Sequence, residues 1–370
     1  MPNNNKPIYH YSDLEKHAKG TLSHEVFTYI QSGSGNEETL KDNEQAFKKW
    51  KIKPQFLNDV SERNLSISLL DETYKTPFLL APVGHLGAAH PDGELAVARA
   101  AKEKQVPYIV STVSTFSLEE IADELGDTPR WFQLYWSSDQ ELTASLVKRA
   151  EKAGYSAIVV TIDTPILGYR EADLTNQYFP LRAGYGSANY FADPVFRSRL
   201  KESPEVNKAS AIEELLKIVF HPKLSWKDLA FIRKHTKLPI ILKGVLHPND
   251  AIQAVDYGAD GIIVSNHGGR QLDGVLSSLD ALPNIVQEVS GKIPVLFDSG
   301  IRRGPDVIKA YALGADAVLL GRPYVYGLAI NGQAGVEEVL EHFLNDVDVS
   351  LATAGKSRIS ELDSSLVVKV

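Results

Sequence analysis

The chain of 370 residues has no cysteine, and its one methionine is Met1. Without thiols there can be no disulfide, no thiolate-held metal and no cysteine nucleophile. No apolar run is long enough to span a bilayer, and the opening MPNNNKPIYHYSD lacks the charged-then-apolar order of a signal peptide. The expected location is the cytosol, with no membrane partner. Positive charge is scarce too: 39 Lys and Arg against 47 Asp and Glu leave a formal charge of -8, which offers no basic field to nucleic acid or anionic lipid. What is present is ordinary for a globular protein, 43% apolar and 23% charged, with ample core. Length alone fits two average domains or one large barrel.

Periodicity chooses between them. Short apolar runs recur as TPFLLAPV (76–83), PYIVSTV (107–113), RWFQLYW (130–136), SAIVVTID (156–163), LPIILKGV (238–245), DGIIVSNH (260–267), IPVLFDSG (293–300) and DAVLLGRP (316–323). Between them lie stretches with apolar residues at helical spacing, such as GELAVARAAKEKQ, QELTASLVKRAEKAG and GPDVIKAYALGA. Strands alternating with helices imply a parallel sheet, and eight such units predict an α/β chain closed into a (β/α)8 TIM barrel over residues 1–370. An open doubly wound sheet is the alternative, but no GxGxxG turn follows the first strand. Residues 1–75 precede the barrel as an N-terminal helical extension, including SHEVFTYIQSGSG, whose SGSG reads as a helix stop. Residues 165–224, after the fourth strand, are too long for a simple connection and read as a lid.

Barrel chemistry sits at the carboxyl ends of the strands, and the polar residues there are many. Ser111 follows the second strand; Gln133 and Tyr135 lie in the third, Thr161 and Asp163 in the fourth, Lys243 in the fifth, and Ser265 and His267 in the sixth. His267 is the residue type able to trade a proton near neutrality, and Arg170 and Arg270 suit a two-pronged grip on a carboxylate. Asp298, Ser299, Gly300, Ile301 and Arg302 end the seventh strand, and Gly321 and Arg322 the eighth, where such barrels cradle phosphate. The arginines could instead pair with Asp298 or Asp306. Lys243, after an apolar run, fits either a Schiff base, which keeps an aldolase-type enzyme as a rival, or a positive charge beside an electron-rich ring.

SNHGGRQLD at 265–273 resembles the active-site signature of the FMN-dependent 2-hydroxy acid oxidising enzymes. FQLY, TIDTP, LKGV, FDSGIRRG and GRP stand in that family's order, and the likeness runs from YIQSGSGNEET to LLGRPYVYGLA. Within the family, GDTPRWFQLY, EKAGYSAIVVTIDT and NYFADPVF are most similar to the lactate oxidases and lactate monooxygenases. The resemblance implies FMN as cofactor and His267 as general base with Asp163 behind it. It implies Arg170 and Arg270 as carboxylate clamps helped by Tyr29, and Tyr135 near the substrate's C2 oxygen. Pro82, Val83, Gly84, Ser111, Gln133, Thr161, Lys243 and Ser265 would meet the flavin ring. Asp298, Ser299, Gly300, Ile301, Arg302, Gly321 and Arg322 would hold the ribityl chain and phosphate. Tyr185 and Tyr190 are candidates to close over the substrate. A homotetramer is also implied, and no metal.

One departure is Gly84, where family members often carry alanine; read from sequence, it opens space beside the flavin for dioxygen. The expected reaction is L-lactate to pyruvate with dioxygen reduced to hydrogen peroxide. A lactate 2-monooxygenase releasing acetate, carbon dioxide and water is the alternative, since the two differ only in the order of product release. The lack of cysteine and internal methionine suits a protein that lives with peroxide.

Overall fold

The computed structural model describes residues 8–370. Helices α1 (Tyr11–Thr21), α2 (His24–Gln31) and α3 (Glu38–Lys49) come first, followed by short strands β1 (Trp50–Ile52), β2 (Ile67–Leu69) and β3 (Glu72–Tyr74). Ser23 starts α2 by accepting the Val26 N–H, and the backbone leaves the helix at Ser32, where the SGSG stop was expected. β2 and β3 form a hairpin turned at Leu70 and Asp71, both with positive φ. Eight parallel strands then close a barrel: β4 (Phe78–Leu80), β5 (Tyr108–Ser111), β6 (Arg130–Leu134), β7 (Ile158–Thr161), β8 (Ile240–Val245), β9 (Gly261–Val264), β10 (Val295–Phe297) and β11 (Ala317–Leu320). The ring closes where β11 pairs with β4, Leu319 opposite Leu79. Branched and aromatic side chains fill these strands because both faces are covered, one by the barrel interior and one by helices. The ladder is shorter than the apolar runs. Asp163, His267 and Asp298 fall just past it, on backbone already turning away from the sheet.

The covering helices are α4 (Gly93–Lys104), α5 (Leu118–Leu125) and α6 (Gln140–Lys152) after β4, β5 and β6. A reciprocal Ser117–Glu120 capping box starts α5, and Asp139 caps α6. After β7 the expected lid is a folded insert carrying α7 (Glu171–Thr175), α8 (Ala188–Phe191), α9 (Pro194–Arg199) and α10 (Lys208–Ile218). Then come α11 (Leu229–Arg233), α12 (Pro248–Asp256), α13 (Ser278–Val289), α14 (Gly304–Ala312) and α15 (Arg322–Thr353), the last broken at Asn331 and Gly332. β12 (Val367–Lys369) pairs antiparallel with β1, tying the end of the chain to its N-terminal extension.

Two buried amides set the insert and the extension over the strand ends. Asn189 of α8 donates to the Thr112 carbonyl (2.8 Å) and to Ser114 Oγ (2.9 Å), and accepts the Leu118 N–H (2.7 Å). Asn43 of α3 exchanges hydrogen bonds with Asn266 (2.8 and 2.7 Å). Each fully bonded buried amide specifies one seating, since any other would orphan its polar atoms. The α1–α3 extension is thereby held against the turn that carries His267.

Candidate active site

His267 follows β9 with φ of 58°, and Gly268 and Gly269 continue in the same left-handed region. A histidine there is strained, and the surroundings hold it: its N–H donates to Ser265 Oγ (3.0 Å) and its Nδ1 meets Asp163 Oδ1 at 2.9 Å. A carboxylate on Nδ1 calls for the Nδ1–H tautomer, which leaves the Nε2 lone pair toward Tyr135 Oη at 3.5 Å. Burial depresses the His267 pKa, opposed by Asp163 and reinforced by Lys243 and Arg170, so the imidazole is neutral at pH 7. Burial alone would raise Asp163, but His267 and then Lys243 outweigh it and the acid is held ionised. Asp163 Oδ2 is buried with no partner among the described residues, and a Cβ on Gly244 would lie 2.6 Å from the Asp163 Cβ. Glycine at 244 is therefore what lets Asp163 reach the histidine.

Beside this pair stand two arginines short of negative partners. Arg270 Nη1 donates to the carbonyls of Tyr29 (2.6 Å) and Ser32 (2.7 Å), with its guanidinium 4.8 Å from the centre of the Tyr29 ring. Arg170 Nε donates to the Arg270 carbonyl at 3.0 Å, and the nearest carboxylate, Asp173, is 4.0 Å away. Burial and then Arg270 lower the Arg170 pKa, and Asp173 is itself raised by burial. Two cations so placed form a site for one carboxylate.

Lys243 Nζ contacts Ser265 Oγ (2.9 Å) and Asp298 Oδ2 (3.2 Å). Burial disfavours its charge, but Asp298 and Asp163 outweigh burial and raise the pKa, so the amine stays protonated and is unsuited to Schiff-base attack. Beyond β11, Arg322 donates, among the described residues, only to the carbonyls of Ile30, Ser32 and Gly268, and burial with Arg302 and Arg270 nearby lowers its pKa to about 10. Arg302 is different. It pairs with Glu44 of α3 at 3.0 Å and lies over the Tyr11 ring at 4.5 Å, while Asp306 accepts its backbone N–H rather than its guanidinium.

His267, Tyr135, Tyr29, Arg170, Arg270, Lys243, Pro82–Gly84, Asp298–Arg302, Gly321 and Arg322 all line one cavity of about 840 Å³. Asp163, Ser111, Gln133, Thr161 and Ser265 lie behind its wall, Asp163 on the Nδ1 side of His267. Gln133 accepts from Ser111 Oγ (3.1 Å) and donates to Thr161 Oγ1 (2.9 Å), a buried relay across three adjacent strands, and Ser265 is occupied by Lys243 and His267.

Three expectations need correction. Tyr190 does not face the cavity; it is fully buried in α8, edge-on to Phe196 at 6.1 Å, because α8 turns it toward the core. Tyr185 does not line the cavity; its carbonyl accepts from His85 Nδ1 at 3.1 Å. Gly84 leaves no opening, since a methyl there would stand 2.4 Å from Val113 Cγ2 and 2.8 Å from the Val113 carbonyl. The glycine allows the 82–85 turn to lie on the end of β5, where the His85 N–H reaches that same carbonyl at 2.8 Å.

His85 is a residue that sequence reasoning missed. It lines the cavity in left-handed conformation (φ 60°), edge-on to Tyr29 at 6.0 Å, and burial pushes its pKa down to about 4. A Cβ on Gly186 would collide with its ring. The imidazole thus pins the insert to the first barrel turn. Its type and its place beside Gly84 were the available signal.

Residues 18–369 match the family model described as FMN-dependent dehydrogenase. The chain is 51% identical to an L-lactate oxidase of Lysinibacillus sphaericus (strain C3-41), over 97% of this chain and 92% of that protein. It is 42% identical to 2-hydroxyacid oxidase 1 of Homo sapiens, over 97% and 96%. Among solved structures, mandelate oxidase superposes with a TM-score of 0.86 at 40% identity, covering 96% of this chain and 97% of that one.

Proposed function

We propose, from the premise that this chain belongs to the FMN-dependent dehydrogenase family, that it oxidises short L-2-hydroxy acids, L-lactate among them, to 2-oxo acids and delivers the electrons to dioxygen as hydrogen peroxide. The observation that carries the reading is the His267 setting: a neutral imidazole backed by Asp163, next to two arginines of which, among the described residues, Arg270 is held by carbonyls and Arg170 has its one carboxylate, Asp173, 4.0 Å away. FMN is the family's cofactor, and the residues present fit it. Arg322 is a buried cation satisfied only by carbonyls, as suits a phosphate partner, and Lys243 brings a fixed ammonium to the cavity wall. A Cβ on Gly268 would stand 2.9 Å from Arg322 Nη1, so that glycine keeps the arginine in place.

The chemistry FMN supplies when bound is a two-electron relay from the substrate's C2 to dioxygen. Arg270 and Arg170 take the carboxylate and fix C2 in front of His267. The C2 hydroxyl proton passes to His267 Nε2, and Asp163 stabilises the imidazolium that results. Tyr135 steadies the C2 oxygen, and the Lys243 ammonium offsets negative charge gathering on the cofactor side. A 2-oxo acid leaves, and dioxygen with two electrons and two protons leaves as hydrogen peroxide.

Oxygen-electrode turnover with L-lactate tests the outcome. Catalase is expected to return part of the consumed oxygen while pyruvate accumulates. If catalase returns none and acetate accumulates instead, the product is that of a monooxygenase. A second test concerns the turn at Gly84. Gly84→Ala is expected to push residues 82–85 off Val113 and weaken FMN binding about tenfold, from ~1.4 kcal/mol of overpacking. Titration of the apoprotein with FMN checks it, and unchanged affinity would mean that the turn absorbs the methyl.

A further inference from the structure

The insert does more than cover the site, because it lays an apolar wall along the cavity next to Tyr135. Leu216 in the last turn of α10, with Val219 and Phe220 just after it, faces the cavity at the i, i+3, i+4 spacing of one helical face. Leu181 of the insert and Val113 at the end of β5 line the same cavity. Phe220 stands edge-on to the Tyr135 ring at 6.5 Å, so this wall abuts the group assigned to the C2 oxygen. None of the five carries charge. Of the cation and acid that the insert also brings to the cavity, Arg182 is paired with Glu213 (2.7 Å), and Asp173 faces Arg170.

A tetrahedral C2 has four substituents, and three are spoken for. The carboxylate goes to the arginines, the hydroxyl to His267 and Tyr135, and the hydrogen to the cofactor side. The fourth is the substrate's side chain, and in lactate it is a single methyl. From Phe220 beside Tyr135, the Leu216–Val219–Phe220 face extends along the cavity beyond the reach of a methyl, and a larger apolar substituent lying on it would bury surface that lactate leaves exposed.

We propose that the Leu216–Val219–Phe220 face makes this chain an oxidase that favours 2-hydroxy acids whose C2 substituent is an apolar chain longer than methyl, with lactate a smaller and slower substrate. The assignment rests on the 2-hydroxy acid oxidase reading above. Each methylene added from lactate through 2-hydroxybutyrate toward 2-hydroxyhexanoate is expected to raise kcat/KM about fourfold, the equivalent of ~0.8 kcal/mol per buried CH2.

The experiment takes FMN-loaded protein through the L-2-hydroxy acid series in anaerobic stopped flow. In parallel, binding of the matching 2-oxo acids is read from the visible flavin spectrum. Rising kcat/KM and tightening 2-oxo acid binding with chain length support the proposal. Leu216→Phe is expected to lower the hexanoate-to-lactate ratio of kcat/KM about tenfold by filling the chamber, and Leu216→Ala to raise it. Bleaching by lactate with a steady fall for every longer acid overturns the chain-length assignment while the oxidase reading survives. Failure of every acid in the series to bleach the flavin overturns the oxidase reading itself, and the assignment with it.

Discussion

Replacing His267 with glutamine is expected to slow anaerobic bleaching of bound flavin by L-lactate about 10,000-fold, while the protein keeps its yellow colour. Glutamine can fill much of the same space and still meet Asp163, but its amide cannot take a proton from the C2 hydroxyl. No other neutral base is placed to do so. Tyr135 is nearest, with its hydroxyl 3.5 Å from His267 Nε2, and burial followed by Asp163 drives its pKa far up, so it stays a neutral phenol that can donate a hydrogen bond but offers no phenolate to act as the base. His85 is the other imidazole on the cavity wall. Its Nδ1 is committed to the Tyr185 carbonyl, and a pKa of about 4 makes it too weak a base near neutrality. Stopped-flow absorbance of the visible flavin band under nitrogen checks the prediction. A loss smaller than about tenfold would show that proton removal is not what His267 contributes.

How much of this was legible in the chain itself depends on the range of the interaction concerned. The eight strands were legible because a strand covered on both faces must be a continuous apolar run, a local property of sequence. His267, Arg270, Lys243 and Asp298 were legible for a related reason: a titratable residue directly after such a run lands at the barrel mouth. That Asp163 meets His267 required two strands, β7 and β9, to stand near each other, which follows once the barrel closes. The failures are long-range. Nothing local says that Glu44 and Tyr11, far back in the extension, would hold Arg302, or that Arg322 would be left with carbonyls alone. Tyr190 sits in NYFADPVF among aromatics on either side, and which of them turns inward depends on how α8 is seated by Asn189. Gly84 shows the same limit in reverse: a missing methyl reads as space, yet the atoms it would have met belong to Val113, just past the next strand.

The distribution of charge explains why two separate anions belong in one cavity. Lys243 has Asp298 beside it, and Arg302 has Glu44. Arg322 has only carbonyls, and Arg170 and Arg270 have carbonyls and a carboxylate 4.0 Å from Arg170. A buried cation left unpaired is costly, so the free protein holds binding energy in reserve at both ends of the cavity. On the proposed function, a phosphate would answer one end and a substrate carboxylate the other. Burial, reinforced by Lys243 and Arg170, depresses His267, which keeps the base free of a proton until the substrate's own hydroxyl supplies one.

Asp163→Asn tests that balance and is expected to lower the plateau of kcat/KM for L-lactate about 10,000-fold, the size of the loss when a triad carboxylate becomes its amide. Asp163 Oδ1 accepts from both His267 Nδ1 and Thr164 Oγ1 (3.0 Å), so the amide oxygen belongs at that position. The NH2 then occupies the Oδ2 position, which has no acceptor, and the imidazolium formed during turnover loses its counter-charge. The opposite orientation is no better: an amide N–H against Nδ1 would move the imidazole proton to Nε2, where the substrate's proton must arrive. The pH profile separates this from a structural defect. In the unaltered protein activity requires neutral His267, whose pKa is depressed, so the acid limb should fall below pH 6.5, the ordinary histidine value, with a plateau above it. Asp163 is the group that opposes this depression, while Lys243 and Arg170 reinforce it. Removing the carboxylate therefore takes the pKa lower still, and the acid limb of the variant moves further to the acid side as its plateau drops. A limb that moves toward neutral pH would contradict the assignment of Asp163 as the carboxylate behind the base.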